Sequence, residues 1–154
     1  MSNSRYDIQN LKVTQWAALI VQAALAVLFL LPAGTTLDGS APVNSIQMGL
    51  LYLRYGDLMH FIGGLLYCAP LFVIPVAVWL VTLLRKPRAN YGICMALCAW
   101  ETISSSIFYT TAAHRMSAVL VANFLCYVVV FVEIIDLALF TRAFLTAWQP
   151  PKRK

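Results

Sequence analysis

Four apolar runs, each near the length that crosses a bilayer, constrain this sequence more than any other feature. The runs cover residues 14–31, 58–84, 91–112 and 118–140. A transmembrane helix needs about 20 predominantly apolar residues. The first run is longer than the roughly 7–15 residues of a signal-peptide core, so we read it as a retained helix. The pattern predicts an all-α integral membrane protein, a single four-transmembrane-helix bundle formed by residues 1–154.

The scarcity of charge supports this fold class. Only 11% of the residues are charged, whereas about a quarter are charged in a typical soluble domain. The net charge of +5 could indicate nucleic-acid binding, but the cations all lie outside the apolar runs, in the gaps between them or at the two ends of the sequence. The distribution therefore favours contact with lipid and argues against a nucleic-acid partner.

The same cations predict the orientation. Of the eleven Lys and Arg residues, nine lie before the first run, in the turn at residues 85–88 or beyond residue 141; the other two are Arg54 and Arg115. Lys and Arg accumulate on the cytoplasmic side, so both termini are predicted to be cytoplasmic (N-in/C-in). The expected location is the cytoplasmic (inner) membrane of a bacterium.

Breaks in the pattern predict local features. Residues 33–57 form the first outer loop, rich in turn residues at first and apolar again over residues 46–55. The apolar part is too short to span and predicts a short interfacial helix. Pro70 and Pro75 predict a bend in the second span.

Three acidic residues fall inside the predicted spans: Glu101, Glu133 and Asp136. An ionisable group in hydrocarbon is costly and usually faces a bundle interior or a partner, and the low dielectric favours its neutral form. Helical rise places Glu101 near the bilayer midplane, Glu133 in the inner third and Asp136 close to the cytoplasmic interface.

Helical spacing gives each acid polar neighbours on one face. The face on the third span comprises Cys94, Cys98, Glu101 and Ser105, and that on the fourth comprises Asn123, Cys126, Val130, Glu133 and Asp136. If the two faces meet, they form either a proton- or cation-coupling site or a polar seam that holds the helices together. Both interpretations remain open.

All four cysteines lie within apolar runs, where free, buried thiols are expected. Cys94 and Cys98 share one helix at a spacing unlike that of zinc sites, and no histidine lies at their depth. We therefore expect no metal site.

A second cluster is predicted near the outer face. His60 begins the second span and His114 ends the third, and the nearby charges are Arg54, Asp57 and Arg115. Two histidines at one depth could ligate a b-type haem, with arginines at its propionates and with Gly63 and Gly64 giving the ring room. The alternative is a pair of interfacial histidines in contact with water.

The sequence contains no catalytic constellation, which favours a non-enzymatic function. The first expectation is an accessory or assembly subunit, or the protomer of a small oligomeric transporter, acting with copies of itself or with a partner membrane subunit. A haem- or quinone-linked electron-transfer subunit is an alternative. Another is an immunity or signalling protein that recognises a ligand at its outer loop.

Overall fold

The computed structural model describes residues 2–54, 58–83 and 87–148, with side chains described over 12–54, 58–59, 61–82, 89–111 and 113–147. The chain is mostly helical. The helices in these residues are α1 (Ser2–Leu28), α2 (Ser45–Arg54), α3 (Leu58–Tyr67), α4 (Ala69–Leu83), α5 (Pro87–Arg115) and α6 (Leu125–Trp148).

A small antiparallel sheet interrupts the predicted all-α architecture. Its strands are β1 (Pro32–Thr36), β2 (Pro42–Asn44) and β3 (Leu120–Ala122), in the order β2-β1-β3. Strands β1 and β2 form a hairpin whose turn includes Gly39 at a φ of 69°. Thr35 of β1 pairs with Val121 of β3, although the two residues are far apart in the sequence. The expectation of helices alone was therefore wrong over these residues, because such short strands carry no alternating pattern.

The sheet also moves the start of the last helix. The fourth run was predicted to be helical from residue 118, but α6 begins at Leu125 because β3 occupies the preceding segment. Likewise α1 ends at Leu28, three residues before the end of the first apolar run, where the chain turns into β1.

The predicted short helix after the hairpin is present as α2. It begins with a reciprocal cap, in which the Gln47 amide donates to Asn44 Oδ1 at 2.9 Å and the Asn44 amide donates to Gln47 Oε1 at 3.0 Å. Its inner face packs on α3 and α4: a methyl group at Gly49 would contact Cys68 and Phe72.

The second apolar run is divided between α3 and α4. The break falls at Cys68, just before Pro70, which has no amide hydrogen to continue the ladder of α3. Pro75 lies inside α4 without ending it. In place of the bend predicted near residues 70–75, the structure has a break between α3 and α4, just before residue 70.

Within the described residues, only the stretch Phe61–Thr82 is both long and apolar enough to cross a bilayer by itself, and Lys12–Leu28 is apolar but shorter. Helices α5 and α6 have 29 and 24 residues but include ionisable side chains. Composition and length of the helices alone do not establish four spans.

The helices enclose two apolar clusters, with α6 packed against α1 and α5, and α5 against α4. The cluster nearer the sheet includes Leu25, Phe29, Phe108, Met116 and Val129. The second cluster includes Ala18, Val78, Cys94, Phe140 and Ala143. On α1, α5 and α6, a short polar segment separates the residues of one cluster from those of the other.

Candidate functional site

The polar segments of α1, α5 and α6 meet in a single buried layer between the two apolar clusters, here called the polar layer. Its members are Gln22, Cys98, Glu101, Ser105, Glu133 and Asp136. Gln22 and Asp136 are 0% exposed, and Glu101 and Glu133 are 1% exposed. Because α5 and α6 each present residues three or four apart on one face, their carboxyl groups point toward the same interior.

Gln22 connects the two helices that carry the acids. Its amide Nε2 donates to Asp136 Oδ2 at 2.5 Å and to Glu101 Oε2 at 3.2 Å. The same nitrogen lies 3.6 Å from Cys98 Sγ. A primary amide has two N–H groups, so these two carboxyl groups use its full donor capacity.

The remaining donors are a thiol and a hydroxyl. The Cys98 thiol lies 3.3 Å from Asp136 Oδ2 and donates to it. Ser105 Oγ and Glu133 Oε2 share a short hydrogen bond. Ser105 Oγ also donates to the backbone oxygen of Thr102 at 3.2 Å.

Four buried oxygens in the layer have no partner within the described part of the chain: Gln22 Oε1, Glu101 Oε1, Glu133 Oε1 and Asp136 Oδ1. Each carboxyl group is therefore bonded through one oxygen only. An ionised carboxylate that is buried without a counter-charge or full hydrogen bonding is strongly disfavoured. Protons on the carboxyl groups would remove the negative charge.

The Ser105 geometry is consistent with a protonated Glu133. A hydroxyl has one proton and two acceptor lone pairs. If the Ser105 hydroxyl donates to the Thr102 carbonyl, it can accept a hydrogen bond from a carboxylic acid at Glu133. In that arrangement the Glu133 acid donates to Ser105 Oγ and the Ser105 hydroxyl donates to the Thr102 carbonyl, so every proton has one acceptor.

The sequence predictions for this region have mixed outcomes. The structure brings Glu101, Glu133, Asp136 and Ser105 together. Asp136 is fully buried beside Cys98, and its expected depth near the cytoplasmic interface stays a prediction.

Asn123 is not part of the layer. It lies before α6, where its Nδ2 donates to the Pro32 carbonyl at 2.7 Å and its Oδ1 accepts from the Leu125 amide at 2.8 Å. It caps α6 and joins that helix to β1. The predicted face of the fourth span required the helix to include residue 123, and this prediction was wrong.

Gln22 is the residue that sequence reasoning missed. It lies inside the first apolar run, residues 14–31. The available signal was an amide in the middle of a predicted span, a position where polar side chains bond to neighbouring helices.

The four cysteines are free and buried. Among the described residues, no group of three or more His, Cys, Asp or Glu side chains could hold a metal ion.

The predicted outer-face cluster lies partly outside the described residues and stays a prediction. The side chain of His60 and all of Asp57 lie outside the described residues, whereas His114, Arg115 and Arg54 are exposed. The room expected for a haem ring is filled by α2: a methyl group at Gly64 would overlap Leu53, and one at Gly63 would touch the Tyr52 hydroxyl. The space that the glycines provide accommodates helix packing.

The hairpin that forms part of the predicted outer loop contains one locally stabilised acid. Hydrogen bonds from the side chains of Thr36 and Ser40, together with the Ser40 amide, lower the pKa of Asp38 to about 2. Asp38 therefore organises the turn in its charged form.

Comparison with protein-family models, curated proteins and solved structures finds no match to this chain.

Proposed function

We propose that this chain is a small multi-pass membrane protein, in which α1, α3 with α4, α5 and α6 form four spans and both termini are cytoplasmic. The supporting observation is an inverted distribution of polarity. Ile103 is 60% exposed although Glu101 on the same helix is buried, and Phe131 is 63% exposed although Glu133 is buried. Large contiguous apolar surfaces are rare on soluble monomers, so a bilayer explains them.

Cysteine labelling tests this topology. Ser40 lies in the exposed hairpin turn and Ala89 near the start of α5, and the native cysteines are buried. In sealed cells of a bacterial host, Ser40→Cys should react with a membrane-impermeant maleimide, and Ala89→Cys should react only after the membrane is opened. The reverse labelling, or release of the protein by alkaline carbonate, would contradict the topology.

Within that membrane protein, we propose that the polar layer binds and releases protons, as in the protomer of a small oligomeric proton-coupled transporter. The single observation that carries this proposal is the excess of buried acceptors: three carboxyl groups, four oxygens without a partner among the described residues, and few donors. Such a layer is neutral only when it holds protons. A change in exposure of the layer to either aqueous phase would then release or bind them.

Reconstitution in liposomes tests this activity. A potassium diffusion potential is imposed and the internal pH is followed with a trapped dye. We expect wild-type protein to carry protons faster than empty liposomes, and Glu101→Gln and Asp136→Asn to lower that rate about tenfold, equivalent to about 1.4 kcal/mol. The control Asp38→Asn, an acid in the exposed hairpin, should leave the rate unchanged. Equal rates for all variants would refute the role of the layer.

One observation favours a second function, an accessory or assembly subunit with a structural polar seam: the layer is closed, with Gln22, Ser105 and Asp136 fully buried. Native mass spectrometry of the mildly extracted protein distinguishes the two. Multiples of the 17.1 kDa chain support the transporter. A foreign subunit bound at fixed stoichiometry, together with no proton transport, supports the accessory function.

A further inference from the structure

A lateral groove lies apart from the polar layer, between the second half of α5, β3 and the first half of α6. It encloses about 540 Å³. Tyr109 and Ala113 form one wall, Leu120 lies at the end, and Val130 and Ile134 form the other wall. The volume falls in the range of about 300–1,000 Å³ that is typical of small-molecule sites.

The serine and threonine hydroxyl groups that line the groove already have acceptors. Ser106 Oγ donates to the Thr102 carbonyl at 2.7 Å, and Thr110 Oγ1 donates to the Ser106 carbonyl at 2.8 Å. Ser117 Oγ donates to the His114 carbonyl at 3.0 Å. Bonds of this kind, from a hydroxyl group to the backbone three or four residues earlier, satisfy the side chain without an external partner.

Tyr109, the buried tyrosine of the groove, also has its hydroxyl engaged. It shares a hydrogen bond of 2.8 Å with Ser45 Oγ of α2, a residue that does not line the groove. The ring therefore presents only its apolar surface to the groove. An occupant of this space needs shape and apolar surface but no hydrogen-bonding group along its length.

We propose that the groove binds one acyl chain of a membrane phospholipid. Its outer margin is formed by Tyr127 and Phe131, which are strongly exposed and continuous with the apolar surface of α6. Arg115 is exposed at the end of α5, two residues from Ala113, so a lipid phosphate can lie beside a cationic side chain. The inference rests on the proposed membrane location and is independent of proton binding by the polar layer.

A lipid-retention experiment tests this site in the full-length protein. The protein is stripped in detergent, supplied with phosphatidylglycerol and analysed by native mass spectrometry. Ala113→Trp should fill the groove, and the exposed position of Ala113 allows the larger side chain to be accommodated. We expect one retained lipid per wild-type chain and about tenfold weaker retention in Ala113→Trp. Ala138→Trp, at an exposed alanine of α6 outside the groove, should retain lipid as the wild type does.

The position of the lipid is checked separately on the wild-type chain, which removes any dependence on how the variant folds. Phosphatidylglycerol with a photoreactive diazirine in its acyl chain should label peptides that contain Val130 and Ile134. Equal retention by the two tryptophan variants would overturn the proposal. Labelling that is spread over all exposed apolar faces, or a cross-link between two copies of the chain at the groove, would also overturn it.

These outcomes separate failure of the groove from failure of the proposed membrane protein. If the topology experiment shows an inserted protein and no lipid is retained, only the lipid site is refuted. If the protein is released from membranes by carbonate, the membrane proposal fails first.

Discussion

The polar layer and the lateral groove share helices α5 and α6, yet their polar groups are satisfied in opposite ways. In the layer, four buried oxygens have no partner in the part of the chain that the structure describes. In the groove, the hydroxyl groups of Ser106, Thr110 and Ser117 donate to backbone carbonyls of their own segment. Both regions draw on the hydroxyl-rich sequence of α5.

The difference shows that residue type alone does not define a site. A serine that bonds to its own helix leaves an effectively apolar wall. A carboxyl group cannot be satisfied in that way, because it lacks a proton when ionised and needs donors from other helices. The layer therefore depends on protons and on Gln22, whereas the groove depends on shape.

Among the changes that compare the polar layer with the groove, Gln22→Leu is expected to have the largest effect on stability. The change removes the amide that bridges Glu101 and Asp136, so it should lower the free energy of unfolding by about 3 kcal/mol. Reversible unfolding in detergent micelles, followed by circular dichroism, measures the change. The matched control is Gln15→Leu, which removes one partly buried bond from Tyr91 and should cost only about 1 kcal/mol. Equal effects would mean that the bridge has no special importance.

Removal of the whole bridged group should cost less than removal of the bridge alone. In the triple variant Gln22→Leu, Glu101→Leu, Asp136→Leu, no buried acceptor is left without its donor at this bridge. Replacing a complete buried polar group by apolar residues is often close to neutral. We expect the triple variant to unfold at a higher denaturant concentration than Gln22→Leu. Additive losses from the three changes would contradict this explanation.

An intermediate effect is expected from a pair of adjacent serines. Ser105→Ala removes the partner of Glu133 and should destabilise the protein by about 1–2 kcal/mol. Ser106→Ala removes a bond within one helix and should change stability by less than about 0.5 kcal/mol. The same unfolding measurement compares them. If the order were reversed, the distinction between layer and groove at these positions would be wrong.

The smallest effect is expected at the hairpin. The Asp38 pKa is lowered from 3.8 to about 2, so its carboxylate stabilises the turn above that range and loses this effect as pH falls from 3.8 to about 2. The protection of the Ser40 amide, which donates to Asp38 at 3.2 Å, reports the change by hydrogen exchange. Wild-type protection should decrease over this interval, while Asp38→Asn should show lower protection with little pH dependence. Identical profiles would exclude the carboxylate as the cause.

The helices and the grouping of the acids on one face of each helix could be predicted because both follow from local periodicity, whereas contact between the two faces was only a condition of the prediction. Residues three or four apart share a helix face, which was sufficient to group Glu101 with Ser105 and Glu133 with Asp136. The short helix α2 also had a local signal, an apolar segment after turn residues.

The sheet and the bridge could not be predicted in the same way. Strand β3 has three residues and pairs with β1 over a long sequence separation, so no local pattern identifies it. Because β3 was not predicted, Asn123 was wrongly placed on the helical face of the fourth span. Gln22 was visible as a polar residue in an apolar run. Its hydrogen bonds to Glu101 and Asp136, however, depend on how α1 packs against α6.

The protonation state of the polar layer is the most direct test of the proposed function. Infrared difference spectroscopy on the full-length protein in lipid bilayers at neutral pH distinguishes a protonated carboxyl group from a carboxylate by its C=O stretch. We predict a protonated carboxyl signal that weakens in Glu133→Gln and in Glu101→Gln and is unchanged in Asp38→Asn. A spectrum that contains carboxylate signals alone, which lose intensity in Glu101→Gln and in Glu133→Gln, would contradict a proton-binding layer.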